Sequence, residues 1–186
     1  MRIIAGRARR TNLVAPKGLN TRPTPDMAKE GLFNILNERM LDATMLDLFC
    51  GSGAIGLEAL SRGGSNAVFV DNSRHAIEAL MQNIEKTKLT QLCTVMQMPV
   101  TKAIDKLSTD GHCFDIIFLD PPYEANLLYQ TLDSLGAANL LADTGMIVAE
   151  TDSKFGKSPP ETTAFTLADT RNYGRTCFLF YRKACL

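Results

Sequence analysis

Met45-Leu-Asp-Leu-Phe-Cys-Gly-Ser-Gly-Ala-Ile-Gly56 is an apolar run that breaks into three glycines spaced G-x-G-x-x-G, followed by a helical pattern. A strand, a tight turn and a helix N-terminus are packed into a dozen residues. Glycine admits positive φ and lets a ligand approach the backbone where a Cβ would obstruct it. The helix opening near Ala54 points its unpaired N–H groups at the turn. Such a turn at a strand end suits a nucleotide-like ligand. The same spacing also fits a purely structural strand-to-helix turn, so its neighbours decide.

Outward from this stretch the chain alternates. Strands are expected at 45–49, 66–71, 92–98, 114–119 and 146–150. Helices are expected at 54–62 (closed by Gly63-Gly64), from Ser73 to about 86, at 100–107 and at 126–138. The run Phe114-Asp-Ile-Ile-Phe-Leu119 is nearly all apolar, as a strand covered on both faces of a parallel sheet would be. Beyond residue 151 the alternation stops. Residues 165–172 and 176–182 read as a hairpin around Tyr173-Gly174-Arg175. Before the alternation, Thr24-Pro25-Asp26 opens a helix to about Met40, with Met27, Leu32, Phe33, Leu36 and Met40 at helical spacing. Residues 1–25 read as extended or irregular, with a short strand possible at 2–6. The fold class is α/β: a mostly parallel sheet with helices on both faces and an antiparallel C-terminal end. The division expected is a basic N-terminal arm, 1–25, and one domain, 26–186.

The 186 residues carry no net charge, but the charge is uneven. Residues 1–30 hold Arg2, Arg7, Arg9, Arg10, Lys17, Arg22 and Lys29 against Asp26 and Glu30, so that segment carries +5 and the rest −5. A basic arm on an acidic body points to a polyanionic partner; the alternative is a solvated, disordered terminus. Cys50, Cys93, Cys113, Cys177 and Cys185 are odd in number and form no C-x-x-C pair. That argues against a disulfide framework and a zinc site and for a reducing, cytoplasmic setting. His75 and His112 lack partners at metal-ligand spacing and read as structural or surface residues, so no metal is expected. No apolar run approaches the length of a membrane span, and no secretory signal is expected.

In a sheet of this kind ligands sit beyond the carboxyl ends of the strands. Asp71, 20 residues after Gly51, is placed to accept hydrogen bonds from ribose hydroxyls. That much suits NAD or S-adenosylmethionine equally. Asp47, inside the first strand, would repel a pyrophosphate but suits a cofactor ending in an ammonium group. Asp120-Pro121-Pro122-Tyr123, directly after the fourth strand, separates the two further. Two prolines fix φ and remove two backbone donors, leaving carbonyls to face a ligand. An amine could give one N–H to the Asp120 carboxylate and one to the Pro121 carbonyl, and Tyr123 offers a face for a flipped base. The bland alternative is a rigid strand-to-helix turn.

These motifs resemble the two signatures of class I amino-methyltransferases. Arg2-Ile3-Ile4-Ala5-Gly6-Arg7, Arg22-Pro23-Thr24-Pro25-Asp26, Glu30-Gly31-Leu32-Phe33-Asn34 and Gly56-Leu57-Glu58-Ala59-Leu60-Ser61-Arg62-Gly63 narrow the likeness. Together with the terminal Tyr181-Arg182-Lys183 they look like the bacterial 16S rRNA (guanine-966-N2)-methyltransferase family across nearly the whole chain. The resemblance implies a seven-stranded Rossmann-like fold, S-adenosylmethionine, and 16S rRNA or an assembling 30S particle as partner; a monomer is expected. It implies that Asp47, Phe49, Gly51, Ser52, Gly53, Asp71 and Asn72 hold the cofactor. Asp120, Pro121, Pro122 and Tyr123 would hold the target amine. Arg2, Arg7, Arg9, Arg10, Arg22 and Thr24 would face RNA. Many class I methyltransferases place an acid after the third strand; Gln97-Met98-Pro99 stands there instead, leaving adenine to Gln97 or Met98. Rival readings are methylation of adenine N6 in DNA or of a protein glutamine amide, an NAD-dependent oxidoreductase, and a non-catalytic RNA-binding module.

Overall fold

The computed structural model describes residues 1–16, 24–122, 125–157, 159–160 and 162–184. Arg22, Tyr123 and Cys185, singled out above, lie outside them. The strands are β1 (Thr44–Leu48), β2 (Asn66–Asp71), β3 (Cys93–Gln97), β4 (Phe114–Leu119), β5 (Leu141–Asp152), β6 (Phe165–Tyr173) and β7 (Thr176–Lys183). The helices are α1 (Asp26–Leu36), α2 (Ala54–Ser61), α3 (Arg74–Thr87), α4 (Val100–Thr109) and α5 (Ala125–Ala138).

All seven strands join one sheet in the order β3-β2-β1-β4-β5-β7-β6. The first five are parallel, and β7 pairs antiparallel with both β5 and β6. The side chains alternate between two cores. Met45, Phe69, Ile116, Phe118, Met146 and Val148 face α1, α2 and α3. Leu46, Leu48, Val70, Ile117, Leu119, Ile147 and Ala149 face α4 and α5. The order reverses between β1 and β4, and this is where an open parallel sheet leaves a crevice at its carboxyl edge.

Three local expectations need correcting. The first helix stops at Leu36, where Asn37 takes φ of +33° and a single 3-10 turn runs to Met40. Asn accepts that backbone more easily than most residues. Met27 is 67% exposed, and Lys29 takes its place in the buried stripe with Ala28, Leu32, Phe33 and Leu36. Strand β5 begins at Leu141, five residues early. Its first pairing, with Phe114, is offset by an irregularity before Ile116, and the polar Asp143-Thr144-Gly145 conceals the strand in the sequence.

The described N-terminal stretch, 1–16, is the part read above as extended or irregular. It folds as a narrow hairpin in which Ile3 N–H donates to Thr11 O, Arg10 N–H to Ile3 O and Leu13 N–H to Met1 O. Ile3 is fully buried in the core beneath α1 and α2. Gly6 turns the hairpin at φ of +80°; a Cβ there would lie 1.8 Å from the Ser61 carbonyl oxygen, so only glycine fits. Glu58, fully buried on α2, anchors the segment. Its carboxylate accepts from Ile4 N–H (2.7 Å) and Ala5 N–H (3.0 Å), and pairs with Lys29 (3.2 Å) and Arg62 (2.8 Å). Burial lowers the Lys29 ammonium pKa below its usual value, and Glu58 opposes that shift. Among the described residues no helix is long and apolar enough to cross a membrane.

Candidate functional site

The glycine turn sits at the carboxyl end of β1. Cys50 N–H donates to Val70 O and Gly53 N–H to Cys50 O, which closes the turn and launches α2 from Gly53. Phe49 enters the turn at φ of +62°, unusual for a bulky residue and a form of strain that concentrates at ligand sites. Gly51 follows at φ of +54°, with open space where a Cβ would stand. Backbone there is open to a ligand.

Asp71, at the end of β2, grips this turn. One carboxylate oxygen accepts from Gly51 N–H at 2.9 Å and the other from Ser73 N–H at 2.8 Å. Each oxygen keeps a second lone pair for a hydroxyl donor. Ser73 caps α3 as its sequence position suggests, accepting from Ala76 N–H. Met98 N–H donates to Asp71 O, which brings the end of β3 to the same edge. Phe49 and Met98 pack against the α4 and α5 side, while Asn72 and Gln97 are exposed.

Asp47 is buried inside β1, and one of its oxygens accepts from Gly56 N–H in the first turn of α2 at 3.0 Å. Burial raises its pKa from 3.8 to about 7; the Gly56 hydrogen bond opposes this and the Asp71 charge adds to it. Cys50 is a protonated thiol. Burial first, then the carboxylates of Asp47 and Asp71, push its pKa well up, which matches a packing residue rather than a nucleophile.

Strand β4 delivers Asp120-Pro121-Pro122 beside the glycine turn. Leu119 lies opposite Leu48, and Asp120 N–H reaches Leu48 O at 3.4 Å. The Asp120 side chain is crowded by protein yet remains exposed to solvent. Its pKa is raised by that burial, then by the charges of Glu150 and Asp47. Glu150, on neighbouring β5, accepts from the Thr24 hydroxyl at 2.7 Å.

Asp47, Asp71, Asp120 and Glu150 therefore crowd one sheet edge. The raised Asp47 and Asp120 pKa values mark a site where, among the described residues, negative charge outweighs positive. A sulfonium and an ammonium would relieve it; a pyrophosphate would aggravate it. The residues present fit S-adenosylmethionine and not NAD.

Two side chains that sequence reasoning passed over complete the arrangement. Glu150 is one. The other is Asn83 on α3, fully buried, whose carboxamide accepts from Val14 N–H and donates to both Val14 O and Ser52 O. It binds the N-terminal segment to the glycine turn. Helical spacing does place Asn83 beside Leu80 and Ile84, but a polar residue there carries no sign of its partners. The Ser52 hydroxyl also reaches the Met1 sulfur at 3.6 Å.

The arm's cations divide. The Arg7 guanidinium donates to the Leu60 and Gly64 carbonyls at the end of α2. Arg2 pairs with Asp26. Arg9 and Arg10 are exposed at the hairpin tip. His75 lies against Glu78 on the surface, and His112 stacks on Phe114.

The conserved hypothetical protein 95 family model matches residues 1–182. A putative rRNA methyltransferase, YlbH, of Bacillus subtilis strain 168 is 35% identical over 184 residues, covering 98% of this chain and 99% of its own. The ribosomal RNA small subunit methyltransferase D of Escherichia coli K12 is 33% identical over 183 residues, covering 98% and 90%. A solved structure described as the putative methyltransferase yhhF from Escherichia coli is 33% identical and aligns with a TM-score of 0.83 over 98% of this chain and 97% of that one.

Proposed function

The chain belongs to the conserved hypothetical protein 95 family, and we propose that it moves a methyl group from S-adenosylmethionine to the exocyclic N2 amine of a guanine, of the position-966 type, in 16S rRNA. Its relatives' names describe rRNA methyltransferases, one of them of the small subunit. The observation that carries the reading is the Asp120-Pro121-Pro122 turn on the strand directly beside the glycine turn. Donor and acceptor sites share one edge.

The Gly51-Ser52-Gly53 backbone and Asp47 receive the methionine portion of the cofactor. Asp71 receives the ribose, with Asn72 beside it, and Phe49, Gln97 and Met98 border the adenine. When bound, the cofactor supplies an electrophilic methyl group next to a positive sulfur. Asp120 accepts one N–H of the amine and the Pro121 carbonyl accepts the other, aiming the nitrogen lone pair at the donor side. Pro122 stiffens the turn and Tyr123 stacks on the base. Alignment and exclusion of water supply most of the acceleration. Asp120 orients; the amine releases its proton once methylation has made the nitrogen cationic.

Arg9 and Arg10, exposed at the hairpin tip, face rRNA or an assembling 30S particle, and Arg2, Arg7, Arg22 and Thr24 are assigned to the same partner. Phosphate contacts of this kind position without reading sequence. A basic segment, 1–25, thus serves one catalytic domain, 26–186, in a monomer working in the cytoplasm.

The test is transfer of labelled methyl from S-adenosylmethionine to 16S rRNA taken from cells lacking the modification, with the product base mapped. Wild type modifies a guanine N2. Asp120→Ala loses on the order of 100-fold or more in rate while cofactor affinity is nearly kept. Full turnover by Asp120→Ala removes the role given to that carboxylate, and label on another base or none removes the reading.

A further inference from the structure

Ser52 stands between two glycines that both take positive φ, Gly51 at +54° and Gly53 at +75°. Glycine backbone reaches many other conformations at little cost, so the turn keeps one shape only where outside groups restrain it. The strand ends supply part of that restraint, through Cys50 N–H to Val70 O and Gly51 N–H to Asp71. The Ser52–Gly53 peptide is held at both ends. Its N–H donates to Cys50 O at 2.7 Å, and its carbonyl accepts from the Asn83 carboxamide at 2.9 Å. Asn83 comes to the turn on α3, from outside both strands. It shares the buried stripe of that helix with Ala76, Ala79, Leu80 and Ile84. Leu80, three residues earlier and on the same face, packs against Gly53, where a Cβ would lie 2.3 Å from a Leu80 methyl.

An apolar residue would fill that stripe as well as Asn83 does. A buried amide costs free energy unless its hydrogen bonds are met. Here they are: the second N–H goes to Val14 O at 2.9 Å, and the carboxamide oxygen accepts from Val14 N–H at 2.7 Å. One side chain thus joins α3, the glycine turn and the open end of the N-terminal hairpin. We infer that Asn83 is a positioning residue for the cofactor: through the Ser52 carbonyl it holds the glycine turn in the shape that receives the methionine portion. This rests on the proposed placing of the cofactor at the glycine turn and deepens it. A turn already set in its bound shape loses no affinity to being ordered. Without the restraint, every ligand carrying the methionine portion binds more weakly. The transfer step itself is untouched once the cofactor is in place.

The experiment measures S-adenosylhomocysteine binding to the full chain by calorimetry, at a temperature where circular dichroism shows each variant folded. Asn83→Leu removes all three hydrogen bonds at nearly the same volume. Asn83→Asp keeps an acceptor for Val14 N–H but loses the donor to Ser52 O, and it decides the matter alone where Asn83→Leu does not fold. Thr87→Val is the comparison. Its hydroxyl bonds Asn83 O and Ile84 O within α3, so its loss loosens the helix without touching the turn. Both Asn83 variants bind roughly 5- to 10-fold more weakly, as loss of one hydrogen bond dictates, and Thr87→Val binds like wild type. In methyl transfer to small-subunit particles, KM for S-adenosylmethionine rises by the same factor and kcat is kept. Unchanged affinity in Asn83→Asp, or an equal loss in Thr87→Val, overturns the inference and leaves the proposed function standing. A fall in kcat with KM unchanged overturns it too. No binding by wild type overturns the proposed function, and the inference with it.

Discussion

Asp47 shows how a single residue here is held against its own preference. A carboxylate whose pKa rises from 3.8 to about 7 on folding binds a proton more tightly in the folded state. Its contribution to stability is therefore greatest below about pH 4, falls as pH rises through the interval to 7, and levels off above it. The slope reaches about 1.4 kcal/mol per pH unit for one such group. Asp47→Asn keeps an oxygen for Gly56 N–H and removes the charge. In cofactor-free protein, the thermal midpoint of Asp47→Asn should gain on wild type as pH rises from 4 to 7, then stay level. Cofactor affinity of the variant should fall. A gap between the two midpoints that does not change with pH would mean that Asp47 is not strained by its charge. The substitution trades binding for stability, as functional sites often do.

At the scale of elements, the joint between the N-terminal hairpin, α1 and α2 is built on Glu58. Removing one partner of a buried ion pair leaves the other charge without compensation, at a cost of about 3–5 kcal/mol. Glu58→Ala should lose that much in urea denaturation, because Lys29 is 1% exposed and the Ile4 and Ala5 N–H groups lose their acceptor as well. A loss below 1 kcal/mol would mean that water reaches the joint. The hairpin tip behaves differently. Arg9 and Arg10 are exposed, so replacing both with Ala should leave stability nearly unchanged. The slope of log affinity for rRNA against log salt should fall by about 1.4, since each phosphate contact on unpaired RNA contributes about 0.7. Arg7→Ala should instead lower stability, since its guanidinium closes the end of α2. A full salt slope in the double variant would move the RNA contact away from the tip.

For the whole molecule, the sheet carries the proposed donor and acceptor sites on one edge, so cofactor binding there is coupled to global folding. At 100 times its dissociation constant a ligand that binds only the folded state adds about 2.7 kcal/mol. For a chain of this size that corresponds to roughly 5–10 °C in melting temperature. S-Adenosylmethionine should raise the midpoint by that amount and NAD should leave it unmoved, because the carboxylate edge repels a pyrophosphate. A shift with NAD would overturn the cofactor assignment.

Much of this was legible in the chain itself, where the signal is local. The G-x-G-x-x-G run, the apolar β4 segment, the Ser73 cap and the β6–β7 hairpin each sit in contiguous residues whose periodicity or turn chemistry has few alternatives. Asp47, Asp71 and Asp120 followed from them, since a parallel sheet places ligands at its strand ends. Other features depended on residues far apart in sequence. Glu150 is bound by Thr24 across 126 positions, Asn83 by Val14 across 69 and Glu58 by Ile4 across 54. A buried carboxylate or amide has the same letter as a solvated one, and only its partners distinguish them. The sequence by itself determined the alternation of strands and helices, the glycine turn and the Asp120-Pro121-Pro122 turn that follows β4. Tertiary structure decided that the basic segment folds into the core through Ile3 and Glu58, and that a second acid stands beside Asp120, because burial and strand register are properties of the assembled sheet.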